Sequence, residues 1–280
     1  MSNHSVVNFN LKEIEDWKYR INREKKEVIL EEYIGSKENV NVFSKYNING
    51  VFHKTKISCF RDCHCGNYMF RNNHNIESVT FKSGVDFLET YFMDGMFENC
   101  TSLKYVFFEN IDTRNVKSTK CLFKNCINLE SFCNPYISKI DSLSTLDFSN
   151  VVDATEMFCF CKSLKELNMP ILFGDNLVYA QYMCYNCYSL ERVNITNLKT
   201  KILKYACGMF YGCMRLVDID ISSFNTKNII SIDKIFFNCL SLEYIYISKD
   251  KFKLSEVKHE DFVTNCKNLK KIVYNNKMVS

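Results

Sequence analysis

Proline and glycine are scarce, 2 and 8 residues in a chain of 280, so no flexible linker rich in either divides it. No apolar run approaches the roughly 20 residues that span a bilayer, and no membrane span is expected. The first ten residues, Met1 to Asn10, lack the basic start and apolar core of a secretory signal. Neither sign of charge dominates: 36 basic and 32 acidic residues leave +4, too balanced to demand nucleic acid or an anionic membrane as partner. Arg23, Lys25 and Lys26 read as a solvated turn. Catalytic signatures are missing as well, with no Gly-x-Ser-x-Gly, no phosphate-binding glycine loop, no dinucleotide fingerprint and only 5 histidines. No enzyme and no cofactor are expected. The 46% hydrophobic share nevertheless describes a folded chain rather than a disordered one.

Cysteine is plentiful. Of 15 cysteines, seven (Cys100, Cys126, Cys161, Cys187, Cys213, Cys239 and Cys266) fall 26, 35, 26, 26, 26 and 27 residues apart, the mark of a repeat array in which each unit is buried by its neighbours. An odd total, with seven cysteines at equivalent positions explained by packing, favours free thiols in a reducing setting. The seven are expected to be reduced, buried and aligned. Replacing one with Ser is expected to cost roughly 1–3 kcal/mol through an unpaired buried hydroxyl.

Around each cysteine the same text recurs. Leu103, Leu129, Leu164, Leu190, Leu216, Leu242 and Leu269 follow at the third position, and Met96-Phe97, Leu122-Phe123, Met157-Phe158, Met183-Cys184, Met209-Phe210, Ile235-Phe236 and Phe262-Val263 precede it. That spacing predicts a short helix or 3₁₀ turn before the cysteine. After the leucine the pattern alternates, as in Leu164-Lys-Glu-Leu167-Asn-Met169, which predicts one strand per repeat in a parallel sheet growing about 4.8 Å per unit. Asn115, Asn150, Asn176 and Asn228 recur eleven residues before the cysteine and read as an amide ladder between turns, or as exposed turn residues.

A degenerate first unit, with Asn73 in the cysteine position and Ile76 in the leucine position, brings the count to about eight repeats. The longer spacing between Cys126 and Cys161 predicts an insertion near 133–141. Residues 1–60 lack the repeat text, and Trp17 to Ile21 with Val28 to Leu30 read as a β-hairpin capping the array. Lys267, Lys270, Lys271 and Lys277 make the last unit polar, as a C-terminal cap would be. The expected fold is an α/β repeat solenoid: a leucine-rich-repeat-like parallel β-sheet with short helices or 3₁₀ turns over 61–280, continuous with the N-terminal β-hairpin cap.

The units Ser223-Phe224-Asn-Thr226-Lys-Asn228 through Leu242 and Leu146-Asp-Phe148-Ser-Asn150 through Leu164 closely resemble the BspA-like leucine-rich repeats. Their unit reads approximately Phe-Asp-Thr-Ser-Asn-Val-Thr-Asp-Met, then Met-Phe, a cysteine and a leucine-rich strand. The resemblance spans about residues 66 to 275. It implies a parallel-sheet solenoid that serves as a binding surface, often in bacterial or protist surface proteins engaged in adhesion, and it carries over no catalytic motif.

Two other groupings offer chemistry. Cys59, Cys63, His64 and Cys65, near His53 and His74, hold enough donors for Zn²⁺ but not in paired Cys-x-x-Cys spacing; buried or half-exposed thiols are the favoured alternative and no metal is expected. Cys184-Tyr-Asn-Cys187 has that spacing, yet Cys184 stands where other repeats place Phe, so core packing is favoured over redox chemistry.

The functional lead is the outward strand face. If the leucine and the sixth and eighth positions after cysteine point inward, the fifth and seventh point out. These are Tyr105 and Phe107, Ser131 and Cys133, Glu166 and Asn168, Arg192 and Asn194, Asp218 and Asp220, Tyr244 and Tyr246, Lys271 and Val273. Aromatics beside Arg and carboxylates are the residue types that anchor interfaces; the bland alternative is that caps or the insertion cover them. The expected function is a non-enzymatic scaffold binding a protein, with a surface glycan as second ligand class, in surface adhesion or host interaction. An intracellular effector or regulatory adaptor of the same fold is the alternative, and a small structural metal site in the entry repeat the third.

Overall fold

A computed structural model describes residues 11–57, 68–131, 146–168, 175–195, 198 and 200–275. Where apolar residues alternate after Leu103, Leu164, Leu190, Leu216, Leu242 and Leu269, a strand forms. In chain order the strands are β1 (Trp17–Asn22), β2 (Glu27–Tyr33), β3 (Asn39–Val42), β4 (Lys45–Ile48), β5 (Val51–Ile57), β6 (Ser78–Phe81), β7 (Tyr105–Phe108), β8 (Glu166–Asn168), β9 (Arg192–Asn194), β10 (Asp218–Asp220), β11 (Tyr244–Ser248) and β12 (Lys271–Asn275). From β6 onward they are rungs of a parallel solenoid sheet, with β6 beside β7, β8 beside β9, and β10, β11 and β12 in sequence. Its register repeats the cysteine beat, as in Asp218 opposite Tyr244 and Tyr244 opposite Lys271.

A second parallel ladder of single bridges runs through Phe92, Ser118, Asp153, Tyr179, Tyr205, Ser231 and Lys258, each eight residues before its cysteine. The molecule is thus a β-solenoid, and the segment between the two ladders is not helical. It is a chain of turns in which alternate amides do different work. Met96, Glu98 and Cys100 donate back to the carbonyls of Met93, Gly95 and Phe97 (3.3, 3.0 and 3.1 Å), while Gly95, Phe97 and Asn99 donate to Lys120, Leu122 and Lys124 of the next coil (2.9, 3.0 and 2.8 Å). The expected helix or 3₁₀ turn therefore keeps only its i-to-i+3 bonds.

The physical reason is the left-handed backbone at the residue before each cysteine and four residues earlier. Asn99 (φ 63°), Asn125 (62°), Asn186 (56°), Asn238 (61°) and Asn265 (63°) occupy the first position; Gly95 (61°), Gly208 (59°) and Lys234 (56°) occupy the second. A right-handed helix cannot contain such residues at this spacing. Asn and Gly tolerate the conformation best.

Phe70, Phe97, Phe123 and Phe158 stack as a column along the core, with ring centroids 5.1, 5.3 and 5.6 Å apart and planes within 12°. All four are buried, and each contributes about 1.5–3 kcal/mol from burial alone. Cys184 interrupts the column, which resumes at Phe210 and Phe236. The repeat cysteines form a parallel line beside it. Cys100, Cys126, Cys161, Cys187, Cys213 and Cys239 are free and buried, and Cys266 is free and half-buried. Each Sγ donates to a main-chain carbonyl of the preceding coil: Phe70, Phe97, Phe123, Phe158, Cys184, Phe210 and Phe236, at 2.9 to 3.3 Å. The expected cost of a Ser replacement, which assumed an unpaired hydroxyl, is corrected by this acceptor.

The four recurrent asparagines bond across coils as a ladder does, Asn115 to the Leu88 carbonyl (2.8 Å), Asn150 to Arg114 (2.9 Å), Asn176 to Ser149 (3.2 Å) and Asn228 to Lys201 (2.7 Å). They do so from the surface, where the amides stay partly solvated.

At the N-terminal end β1 and β2 form the expected hairpin. Strand β2 continues through β5 to β4, the last two joined at Asn49-Gly50, both left-handed (φ 52° and 81°) as a two-residue hairpin requires. Strand β3 pairs in parallel with β6, so the region before residue 60 also supplies a rung of the solenoid sheet. Trp17 meets Tyr33 and Phe70 edge-on at 5.1 and 5.5 Å, and the Tyr33 amide donates to the Met69 carbonyl at 2.9 Å. These contacts close the first coil.

Candidate binding face

Period-two alternation places the candidate side chains on one face. On β7, Val106 and Phe108 are buried while Tyr105 and Phe107 are half-exposed; the two outward rings stack at 6.1 Å and 14°. The Tyr105 hydroxyl donates to Glu130 Oε2 at 2.7 Å. Next along the sheet, Ser131 bridges to Tyr105. Its companion Cys133 and the expected insertion lie outside the described residues.

The middle of the face is charged. Glu166 on β8 and Arg192 on β9 are exposed, in register, and ion-paired; Asn168 is the third residue of β8, in register with the exposed Asn194. On β10, Ile219 is buried between exposed Asp218 and half-exposed Asp220. Asp220 accepts the amide of Ser222 at 2.8 Å.

Beyond them β11 turns Ile245 and Ile247 inward and Tyr244 and Tyr246 outward, half-exposed and stacked at 6.5 Å and 26°. Lys270 lies 5.7 Å from the Tyr244 ring centroid and pairs with Glu243 at 2.7 Å. On β12, Lys271 is exposed and Val273 half-exposed. The structure therefore brings the candidate side chains it describes to one surface, with an aromatic pair towards each end.

A second aromatic row was not anticipated. Tyr185, Tyr211 and Phe237, each two residues before its cysteine, stack at 4.7 and 4.9 Å on the turn segment. Tyr179 and Tyr205 stack at 5.5 Å on the single-bridge ladder. The signal was present in the recurrence of aromatics at one offset from cysteine, hidden by the stronger Met-Phe pattern beside it. Because these rings cover one another's faces, they work as a packing column.

The thiols are placed for structure. Burial lifts Cys100 to about 12 and pushes Cys126, Cys161, Cys184 and Cys213 well above the usual thiol range, the reverse of what activates a nucleophile. Cys184 and Cys187 are both buried in the core. Among the described residues, no group of three or more His, Cys, Asp or Glu is arranged to hold a metal ion; Cys59, Cys63, His64 and Cys65 lie outside the described residues. His53 faces the Val51 carbonyl and His74 the Thr101 hydroxyl, each at 3.0 Å. No described helix is long and apolar enough to cross a membrane.

A family model described as "Mycoplasma protein of unknown function, DUF285" matches residues 66–171, 131–249 and 174–276. Among solved structures, the chain is similar to a leucine rich cell surface protein from Faecalibacterium prausnitzii A2-165, at 17% identity over 94% of both chains with a TM-score of 0.36. It is similar to a leucine-rich repeat protein from Bacteroides ovatus ATCC 8483, at 19% identity over 93% of this chain and 70% of that one, TM-score 0.41. A third likeness is to the T. pallidum leucine rich repeat protein, at 13% identity over 91% and 88%, TM-score 0.43. No curated protein matches the chain.

Proposed function

Since the chain belongs to the DUF285 family of BspA-like repeat proteins, we propose that it is a non-enzymatic scaffold that holds a protein partner against its exposed sheet face. The observation that carries this reading is the outward alternation itself. Tyr105 with Phe107 and Tyr244 with Tyr246 stand on a rigid parallel sheet, and Glu166, Arg192, Asn194, Asp218 and Asp220 lie between them. Rigid aromatics supply contact area at little entropic cost, and the charges between them set register and partner choice.

The core needs none of these side chains. Replacing Tyr244 and Tyr246 together with Ala tests the reading, with partner capture by the full chain and urea unfolding measured side by side. Lost capture with stability changed by less than about 1 kcal/mol supports it. Lost stability with capture intact overturns it.

A second reading, an intracellular adaptor using the same face, draws on the thiols. Seven of them serve as hydrogen-bond donors between coils, a role that requires the reduced form. Fractionation of the native protein separates it from a surface adhesin.

A further inference from the structure

The most distinctive chemistry on the face lies at β10 and β11, where two carboxylates stand in register with two tyrosines: Asp218 opposite Tyr244 and Asp220 opposite Tyr246. Of the nearby cations, Arg192 pairs with Glu166, Arg215 with Glu191 and Lys270 with Glu243, while Lys271 stands on the far side of Tyr244, one strand beyond the tyrosines. Among the described residues neither Asp218 nor Asp220 has an ion-pair partner. Tyr244 already draws one cation, Lys270, to 5.7 Å from its ring centroid, so the chemistry that a cationic ligand meets here is visible within the molecule.

We propose that this part of the face receives an extended, arginine-bearing segment of the protein partner, with one guanidinium at Asp218 and Tyr244 and the next at Asp220 and Tyr246. The proposal rests on the sheet-face reading and names the partner chemistry for it. Three properties select arginine in an extended chain. Side chains two residues apart on a strand project about 6.5–7 Å apart on one side, so the Asp218–Asp220 spacing matches an Arg-x-Arg segment laid over the sheet. A guanidinium forms paired hydrogen bonds with a carboxylate and stacks flat on an aromatic face, whereas an ammonium meets both only as a point charge, with neither the paired geometry nor the stacking. The sites are half-exposed, so a partner can reach them, and binding excludes water from the ion pairs.

The test is titration of the full chain into a fluorescently labelled Ser-Arg-Ser-Arg-Ser peptide, read by anisotropy, with Lys and Glu versions as comparators. The arginine peptide is expected to bind saturably, the lysine version several-fold more weakly, and the glutamate version not at all. Asp218→Asn with Asp220→Asn, exposed changes that leave the core untouched, is expected to weaken the arginine peptide about tenfold or more. Absence of saturable arginine binding, equal binding of the glutamate peptide, or affinity within about twofold after the double replacement overturns the proposal. Partner capture distinguishes its failure from failure of the broader reading. Capture lost on Tyr244→Ala with Tyr246→Ala but kept by the Asp variant removes the arginine site and leaves the sheet-face reading. Capture kept by both variants and by Tyr105→Ala with Phe107→Ala removes both.

Discussion

The thiol of Cys126 donates to the main-chain carbonyl of Phe97, one coil earlier, at 2.9 Å. That carbonyl also accepts the amide of Cys100 at 3.1 Å, so the cysteine fills the second acceptor site of a buried oxygen and packs as a small apolar group at once. No other small side chain does both as cheaply: Ala lacks the donor, and Ser carries a more strongly hydrated one.

Cys126→Ser is accordingly expected to cost about 1 kcal/mol, because the hydroxyl inherits the Phe97 carbonyl. Cys126→Ala, which removes the donor and leaves a void, is expected to cost about 1–3 kcal/mol. Urea midpoints of the two variants check the order. A Ser variant no more stable than the Ala variant would show that the thiol serves only as packing.

Alkaline pH should unfold the chain through the same line of thiols. Burial raises Cys100 to about 12 and pushes Cys126, Cys161 and Cys213 well above the usual range, while in the unfolded chain such thiols titrate near about 8.5. Above that pH the unfolded chain sheds protons that the folded chain keeps. Stability is therefore full at neutral pH and falls as pH rises from about 8.5 towards the folded values, by up to about 1.4 kcal/mol per pH unit for each thiol. Urea unfolding at pH 7, 9 and 10 reads the slope, and Cys126→Ser should make it shallower.

Gly208 tests the turn segment. Its φ is 59°, and a Cβ there would sit 2.5 Å from Cδ1 and Cε1 of the Tyr182 ring. The backbone conformation alone is tolerated by side chains, since Lys234 holds the equivalent place in the next coil at 56°. The contact with Tyr182 therefore dominates, and Gly208→Ala is expected to destabilise by about 1–3 kcal/mol. Adding Tyr182→Ala should recover most of that loss in a double-mutant cycle; no recovery would place the cost in the backbone.

The coil period, the inward leucines and the outward pairs were legible in the sequence because strand alternation has a period of two and the cysteine beat supplies its phase. Asp218, Ile219 and Asp220 show this directly, with only the middle residue buried. The turn segment was not legible as such. Met209, Phe210 and Cys213 are spaced like one face of a helix, and all three are buried, yet Gly208 and Gly212 between and beside them are left-handed (φ 59° and 70°). Spacing reports burial, and several backbones bury the same spacing. The deciding signal was the residue just before the cysteine, Asn in five of the seven coils (Asn99, Asn125, Asn186, Asn238 and Asn265) and Gly212 in a sixth, a preference that follows from positive φ. The acceptors of the cysteine thiols lie 29 or more residues away, a relation between coils that local pattern does not encode.

The last described coil should open before the rest. In the coil around Cys239, Phe236, Cys239, Leu242 and Ile245 are fully buried, but their equivalents Val263, Cys266, Leu269 and Ile272 are only half-buried. The amides of Ile232, Lys234, Phe236 and Asn238 each donate to a carbonyl of the following coil, at 2.8, 2.8, 3.2 and 3.0 Å. Among the described residues, the matching amides of His259, Asp261, Val263 and Asn265 meet no further coil. In a repeat array each unit is held by its packing, so a coil whose core positions are half-buried opens at lower free energy than one whose core positions are fully buried. Burial lifts Cys266 to about 11, which slows its reaction while that coil is closed. Under native conditions a thiol-alkylating reagent is therefore expected to modify Cys266 well before Cys239, and amides of residues 258–275 to exchange before those around Cys213. Mass spectrometry of timed samples follows both. Simultaneous modification of Cys266 and Cys239 would mean that the solenoid opens as one unit, with its last coil as firmly held as its centre.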